Sequence, residues 1–273
     1  MGLDPIGYKP WEGKRTEHKE RFWVISDNIL RKKMRSTPYI ALMVIGIFLV
    51  HMFPLILNSM VPHERLYAST MTEFMQSSLF FMFGIILVSM ICSDLISDDL
   101  RSNSIVLYMS RALKPEQYVL GKWLGAVISI IMFTLLPPLA VAISITATQS
   151  GSDYVGSLAV IGQTALAGLW MALFLIPVGL MISTITNKRT YAGVGTFMFF
   201  FIMVVIAQML VSFSIDWAML SPQQVLDYSY MVLYGQTIDA NVNLMLLALM
   251  VVLLTVPPMW FVYDRIRRKG VGK

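Results

Sequence analysis

The chain has 273 residues, 56% of them hydrophobic and only 14% charged, with a net charge of +5. That balance lies outside the soluble globular range and inside the membrane class. The basic excess reads as a topology signal, and a nucleic-acid partner is not expected on the footprint such a role needs.

Residues 1–15 contain Pro5, Gly7, Pro10 and Gly13 and read as an irregular lead. From Glu20 to Lys32, Phe22, Trp23, Ile25, Ile29 and Leu30 fall on one face, opposite Glu20, Asp27, Asn28 and Arg31, with Val24 the exception. This pattern predicts an amphipathic helix lying in the membrane interface, its aromatics at headgroup depth and Lys33 and Arg35 reaching anionic lipid.

Windows of about 20 apolar residues, enough for a hydrocarbon layer about 30 Å thick, follow at roughly 38–58, 74–93, 122–149, 157–185, 191–213 and 243–263. Apart from Lys122 at one edge and Asp264 beside the last, no acidic or basic residue is read within or beside their cores. Helices satisfy their own backbone in lipid, so all six are expected to be helical. The expected fold is an all-α polytopic membrane protein, six transmembrane helices preceded by the amphipathic interfacial helix. A single domain is expected over 1–273, with the lead and interfacial helix in 1–37, the spans in 38–263 and a tail in 264–273. The first apolar run is too long for a signal-peptide core and lacks a small-residue cleavage pattern, so it is read as a retained span.

Of the 21 Lys and Arg residues, only Arg65 falls outside the segments 1–37, 94–122, 186–190 and 264–273. The positive-inside rule then places both termini of a multi-pass cell-membrane protein in the cytoplasm. Uncharged polar groups cluster toward the other side: His51 and Asn58, Gln76 with Ser77 and Ser78, then Gln163 and Gln208. They either make ordinary interhelical hydrogen bonds, the favoured reading, or line a substrate path. Pro137-Pro138 and Pro177 inside spans predict kinks. In the outer loop from Ser214 to Asn241, which holds no basic residue, Pro222 to Tyr234 can form a short helix dipping back toward the membrane.

The 21 methionines are scattered without a Cys or His cluster, so they read as adaptable apolar filling and no metal site is expected. A single cysteine, Cys92, excludes an intrachain disulfide. No G-x-x-x-x-G-K-[ST], Ser/His/Asp or H-E-x-x-H pattern occurs, so neither a nucleotide-phosphate cradle nor a catalytic residue is expected.

Between Ser97 and Lys122 lie residues too polar to cross a bilayer, SDDLRSNSIVLYMSRALKPEQYVLGK. Inside them Ile105, Val106, Leu107, Tyr108 and Met109 form an apolar run, with Asp98, Asp99 and Arg101 before it and Arg111 and Lys114 after it. An apolar run on the water side calls for a partner; the alternative is that it folds back on the ends of the chain's own spans. Pro115 suits the first turn of a new helix, and Glu116 beside it suits a helix N-terminus. A short helix, a turn and a fresh helix are implied.

This order resembles the permease subunits of ABC-2 type transporters. In that family the second span runs out into a helix with an acidic residue, then a small pair, a short coupling helix, a Ser-Arg-Pro turn and a Gly-Lys that opens the third span. The places correspond here to Asp98 or Asp99, Asn103-Ser104, Ile105 to Met109, Ser110-Arg111 and Gly121-Lys122. Asn103-Ser104 and Ala112-Leu113, where the family usually has Pro, are departures. Leu220-Ser221-Pro222 is similar to the start of the family's outer re-entrant segment.

The resemblance implies a permease without its own ATPase, joined to a separate nucleotide-binding ATPase subunit through Asp98, Asp99, Ser104, Ile105, Leu107, Tyr108 and Arg111. ATP and Mg would be held by that partner, with no cofactor in this chain, and a second permease copy would complete the transporter. The N-terminal helix would lie along the inner membrane surface among its lipids. An interior without charges favours export of a hydrophobic or amphiphilic cargo over an ion, with His51, Asn58, Gln76, Gln163 and Gln208 as candidate path residues. Two other readings are a membrane anchor that recruits an ATPase without transport, and a secondary transporter, which would be expected to carry ionisable groups within its spans.

Overall fold

Pro38 lacks an N–H and crowds the carbonyl four residues back, so a helix cannot run smoothly through it, although it is tolerated in a first turn. The computed structural model, which describes residues 21–52, 56, 68–110, 113–147, 153–238 and 242–270, bears this out. There α1 (Arg21–Met34) ends, Ser36 is extended, and α2 (Thr37–Ile47) starts afresh with the proline in its first turn. The two helices meet at 76°, and α2 closes in a π-helical turn over Phe48–Met52.

The helices α3 (Ala68–Met75), α4 (Ser78–Cys92) and α5 (Ser97–Arg101) are followed by the short α6 (Ser104–Ser110). Next come α7 (Pro115–Thr134), α8 (Leu136–Ala147), α9 (Asp153–Ile185) and α10 (Arg189–Leu210). A 3-10 turn over Ile215–Leu220 then leads to α11 (Pro222–Leu233) and α12 (Leu244–Gly270). Among the described residues five stretches are long and apolar enough to cross a membrane: Met71–Arg101, Pro115–Ser144, Leu158–Ile185, Arg189–Leu210 and Leu244–Lys269. The bent pair of α1 and α2 adds a sixth only when the two helices are counted together as one span.

Long helix α9 is the hub, touching α4, α7, α8, α10, α11 and α12. Small residues make that possible, because without a side chain two backbones can approach closely. A Cβ at Gly168 would strike the Thr134 carbonyl, and one at Gly179 would come within 2.7 Å of Cys92 Sγ. The proline pair Pro137-Pro138 interrupts the third span at Leu135 as expected, whereas Pro177 and Pro257-Pro258 sit inside unbroken helices. The basic segment after Tyr263 is not a separate strand of chain: α12 carries it as helix to Gly270, with Arg268 paired to Asp264 at 2.7 Å.

Packing of α1 differs from the sequence expectation. Its buried residues are Ser26, Ile29 and Lys33, while Trp23 and Val24 are exposed. The buried face lies on α7, where Ser26 Oγ donates to the Gly121 carbonyl at 2.9 Å. Gly121 and Gly125, four apart, form the seat: a Cβ at Gly125 would lie 2.8 Å from Ile29 Cδ1 and 3.1 Å from Ser26 Cα. Overpacking of such a contact costs about 1–3 kcal/mol. Gly125→Leu is therefore expected to loosen α1, measured as faster protease cleavage within Arg31–Arg35 and a lower unfolding midpoint. Gly162→Leu, where nothing lies within 4 Å of the added Cβ, should leave both unchanged; equal behaviour of the two variants would refute the seat.

Candidate functional site

The segment after the second span begins with an acid that hydropathy reading passed over. Asp94 stands at the edge of the 74–93 window, yet the candidate span runs on past it to Arg101, and it is only 4% exposed. Its carboxylate accepts from Lys33 Nζ at 2.6 Å and lies 3.0 Å from Lys32 Nζ, both on α1. Lys33, 3% exposed, also donates to the Met90 carbonyl at 3.0 Å. The expectation that only Lys122 and Asp264 adjoin the spans is thus corrected: a buried ionic pair ties α1 to the end of α4. Two charges in such a place are held by each other and by the carbonyl, since neither could be left alone there.

Around Asp94 the backbone turns through Ser93–Ile96, and the turn is closed from another helix. Ser183 Oγ of α9 accepts from the Ile96 and Ser97 amides, each at 3.2 Å. These donors begin α5 and have no partner within it, so a side chain elsewhere must supply one. Asp99 then accepts from Lys122 Nζ at 2.8 Å and from Tyr118 Oη at 2.6 Å, clamping the outgoing helix to the start of α7. Asp98, one residue earlier, faces outward toward Arg101 at 3.6 Å.

Asn103 takes φ of +53°, a left-handed conformation that Asn adopts more readily than most residues. This turn, with Ser102 and Ser104 hydroxyls 2.6 Å apart, reverses the chain into α6. The helix divides the apolar run by its own period. Ile105 is 2% exposed, Met109 four residues on packs against the same core, and α6 rests on α12. Val106, Leu107 and Tyr108 point the other way, 54%, 63% and 39% exposed. Tyr108 lies tilted against Tyr118, ring centroids 5.7 Å apart; partial burial first, and then the Asp99 charge, push its phenol up. Arg111 lies outside the described residues.

The candidate path residues do not converge. His51 is fully buried among Phe74, Phe80 and Phe133, with ring centroids 5.3–5.4 Å away, and neither ring nitrogen has a hydrogen-bond partner among the described residues. Gln76 donates to the Asp227 carbonyl at 2.9 Å, fastening α11 to the second span. Gln163 is half-buried on α9, Gln208 is exposed on α10, and Asn58 lies outside the described residues. On the same side Thr164 and Tyr234 share a hydroxyl contact at 2.8 Å, and Gln223 donates to Ser78 Oγ at 3.1 Å. Gln76, Ser78 and Thr164 thus help to seat α11 and its end at Tyr234. Its start is Ser221, whose hydroxyl accepts from the Gln224 amide, and its end is Gly235 at φ +68°. Burial pushes the Asp227 carboxyl of α11 up to about 8.

Two features of this site were missed in the sequence. Asp94, directly after an apolar window, and the Gly121/Gly125 spacing are both visible there; their partners on α1 are not. A family model described as "ABC-2 family transporter protein" matches residues 23–260, from within α1 to within α12. No curated protein matches the sequence.

Proposed function

The chain belongs to the ABC-2 transporter family and is a multi-pass membrane protein, and on that premise we propose that it is the permease subunit of an ATP-driven exporter. A separate nucleotide-binding subunit binds ATP and Mg and docks on the cytoplasmic 97–122 segment, with Asp98, Asp99, Ser104, Ile105, Leu107, Tyr108 and Arg111 forming or framing the contact. A second permease copy completes the transporter, both termini are cytoplasmic, and α1 lies along the inner membrane surface with Trp23 toward the headgroups. The cargo is hydrophobic or amphiphilic.

One observation carries this reading: α6 presents Val106, Leu107 and Tyr108 outward on a frame that the chain itself braces through Asp94, Asp99 and Ser183. An exposed apolar surface on a braced support fits a docking partner better than an internal packing role. Bracing matters because a contact passes on a conformational change only if its free energy differs between the two states. The division of labour is tested by hydrolysis. The purified chain should show none, and the complex with its ATPase should hydrolyse ATP and respond to cargo; turnover by the chain alone, free of contaminating ATPase, would sink the proposal.

A further inference from the structure

On the basic side of the membrane, α9 and α12 end next to each other and leave a cluster of cations that the chain does not neutralise. Arg265 of α12 donates from Nη2 to the carbonyl of Ile185, the last residue of α9, at a long 3.5 Å. Its Nε is buried and has no acceptor among the described residues. Just past Ile185 stand Lys188 and Arg189, both exposed, and one turn past Arg265 on the same side of α12 stands Lys269, also exposed. None of these four pairs with a carboxylate among the described residues. The acid on this end of α12, Asp264, is paired with Arg268, and Asp98 of the neighbouring α5 faces Arg101.

The helices that carry these cations gain nothing from them. Lys188 and Arg189 occupy the N-terminal end of α10, where the backbone dipole disfavours positive charge, and the first turn there holds neither an acid nor a side-chain cap. Arg265 keeps a partly desolvated guanidinium on one long hydrogen bond, so its charge is poorly compensated. Two of the cations sit over aromatic rings, the Lys188 ammonium 5.1 Å from Tyr191 and the Arg265 guanidinium 6.0 Å from Phe261. The adjoining surface is apolar and open, with Ile185, Tyr191 and Trp260 54%, 62% and 65% exposed. Exposed aromatics of this kind mark the headgroup level of a bilayer, and long cations reach past them into the polar layer. Lys33, expected to reach anionic lipid, is instead spent on Asp94, whereas these four are free of acids.

We infer that Lys188, Arg189, Arg265 and Lys269 bind the headgroup of an anionic phospholipid from the adjoining leaflet, its phosphate between Arg265 and Lys188 and its acyl chains against Ile185. The molecule is a resident lipid on the outside of the bundle, distinct from any cargo, and it ties the α9–α10 turn to the end of α12. An acidic face of a docked protein would also suit four cations, but exposed Tyr191 and Trp260 beside them set the cluster at headgroup depth. This binding goes beyond the permease reading and needs only that the chain sits in a membrane.

The test uses the full chain in phosphatidylcholine nanodiscs doped with a trace of one of two probes, phosphatidylglycerol or phosphatidylcholine, each with a diazirine at the same place near the head of one acyl chain. Phosphatidylglycerol adducts within Ile185–Tyr191 and Trp260–Lys269 should exceed those of phosphatidylcholine by at least about fivefold, the effect of one basic residue near a membrane surface. Lys188→Gln, a change at an exposed position, should lower the phosphatidylglycerol adducts about fivefold, and Arg265→Gln should do the same, with phosphatidylcholine adducts unchanged in both. Arg31→Gln, on α1 and already paired with Asp27, should alter neither. Equal labelling by the two probes, an unchanged preference in Lys188→Gln, or anionic adducts spread along α12 at Val252 and Leu253 would overturn the inference. So would loss of the preference on adding inorganic phosphate, which would make this a site for a soluble anion, and displacement of the probe by a docked ATPase, which would assign the cluster to that protein. The labelling needs no nucleotide turnover, so its failure is separate from failure of the hydrolysis test.

Discussion

Asp94→Asn is expected to destabilise the protein by about 3–5 kcal/mol, because it leaves the Lys33 ammonium buried without its counter-charge. Lys33 would keep only the Met90 carbonyl, and Lys32, mostly exposed, would relax into solvent. At a few degrees per kcal/mol, the unfolding midpoint should fall by an amount on the order of 10 °C. Asn is nearly the same shape as Asp, so lost packing does not account for such a drop. The double variant Asp94→Asn with Lys33→Met removes both charges and should recover much of the loss, the non-additive result of two groups that serve each other. A single variant that melts with the wild type, or a double variant at the sum of the two singles, would show that the pair is not coupled. Since the pair joins α1 to the end of α4, the single variant should also expose α1 to protease.

Leu107→Asp should leave the fold intact and weaken ATPase association by at least about 2 kcal/mol, roughly thirtyfold in Kd. The first half follows from exposure: Leu107 lies on the outward side of α6, so a carboxylate there meets water. The second follows because apolar area removed from water on docking contributes about 25 cal/mol per Å², and a charge in that contact must be desolvated. Ile105→Asp provides the contrast. Ile105 is in the core that α6 shares with α12, so its replacement should lower stability of the isolated chain before any partner is added. Co-purification and thermal unfolding measured side by side separate the two effects. Normal assembly and normal ATP hydrolysis in Leu107→Asp would return the apolar run to a packing role and remove the main support for the docking site.

Much of this protein was readable from its residues in order, and the reason is locality. A membrane span needs about 20 consecutive apolar residues whatever surrounds it, so the windows at 74–93 and 157–185 reappear within helical runs and the one at 191–213 overlaps Arg189–Leu210. Pro38, Pro115 and Pro222 sit in first turns, and the polar segment before Lys122 holds a short helix over Ser104–Ser110 and a fresh one starting at Pro115, because caps and breakers act within a few residues. What depends on a partner far along the chain could not be read that way. Asp94 is buried rather than wet because Lys33, 61 residues earlier, reaches it, and α1 turns Ser26 and Lys33 inward because Gly121 and Gly125 leave room. Pro137-Pro138 breaks its helix while Pro257-Pro258 does not, and local sequence treats the two alike. The apolar run from Ile105 to Met109 is uniform in sequence; the tertiary structure splits it, since Ile105 and Met109 are packed in the core on the side that meets α12, and Val106, Leu107 and Tyr108 lie on the more exposed side.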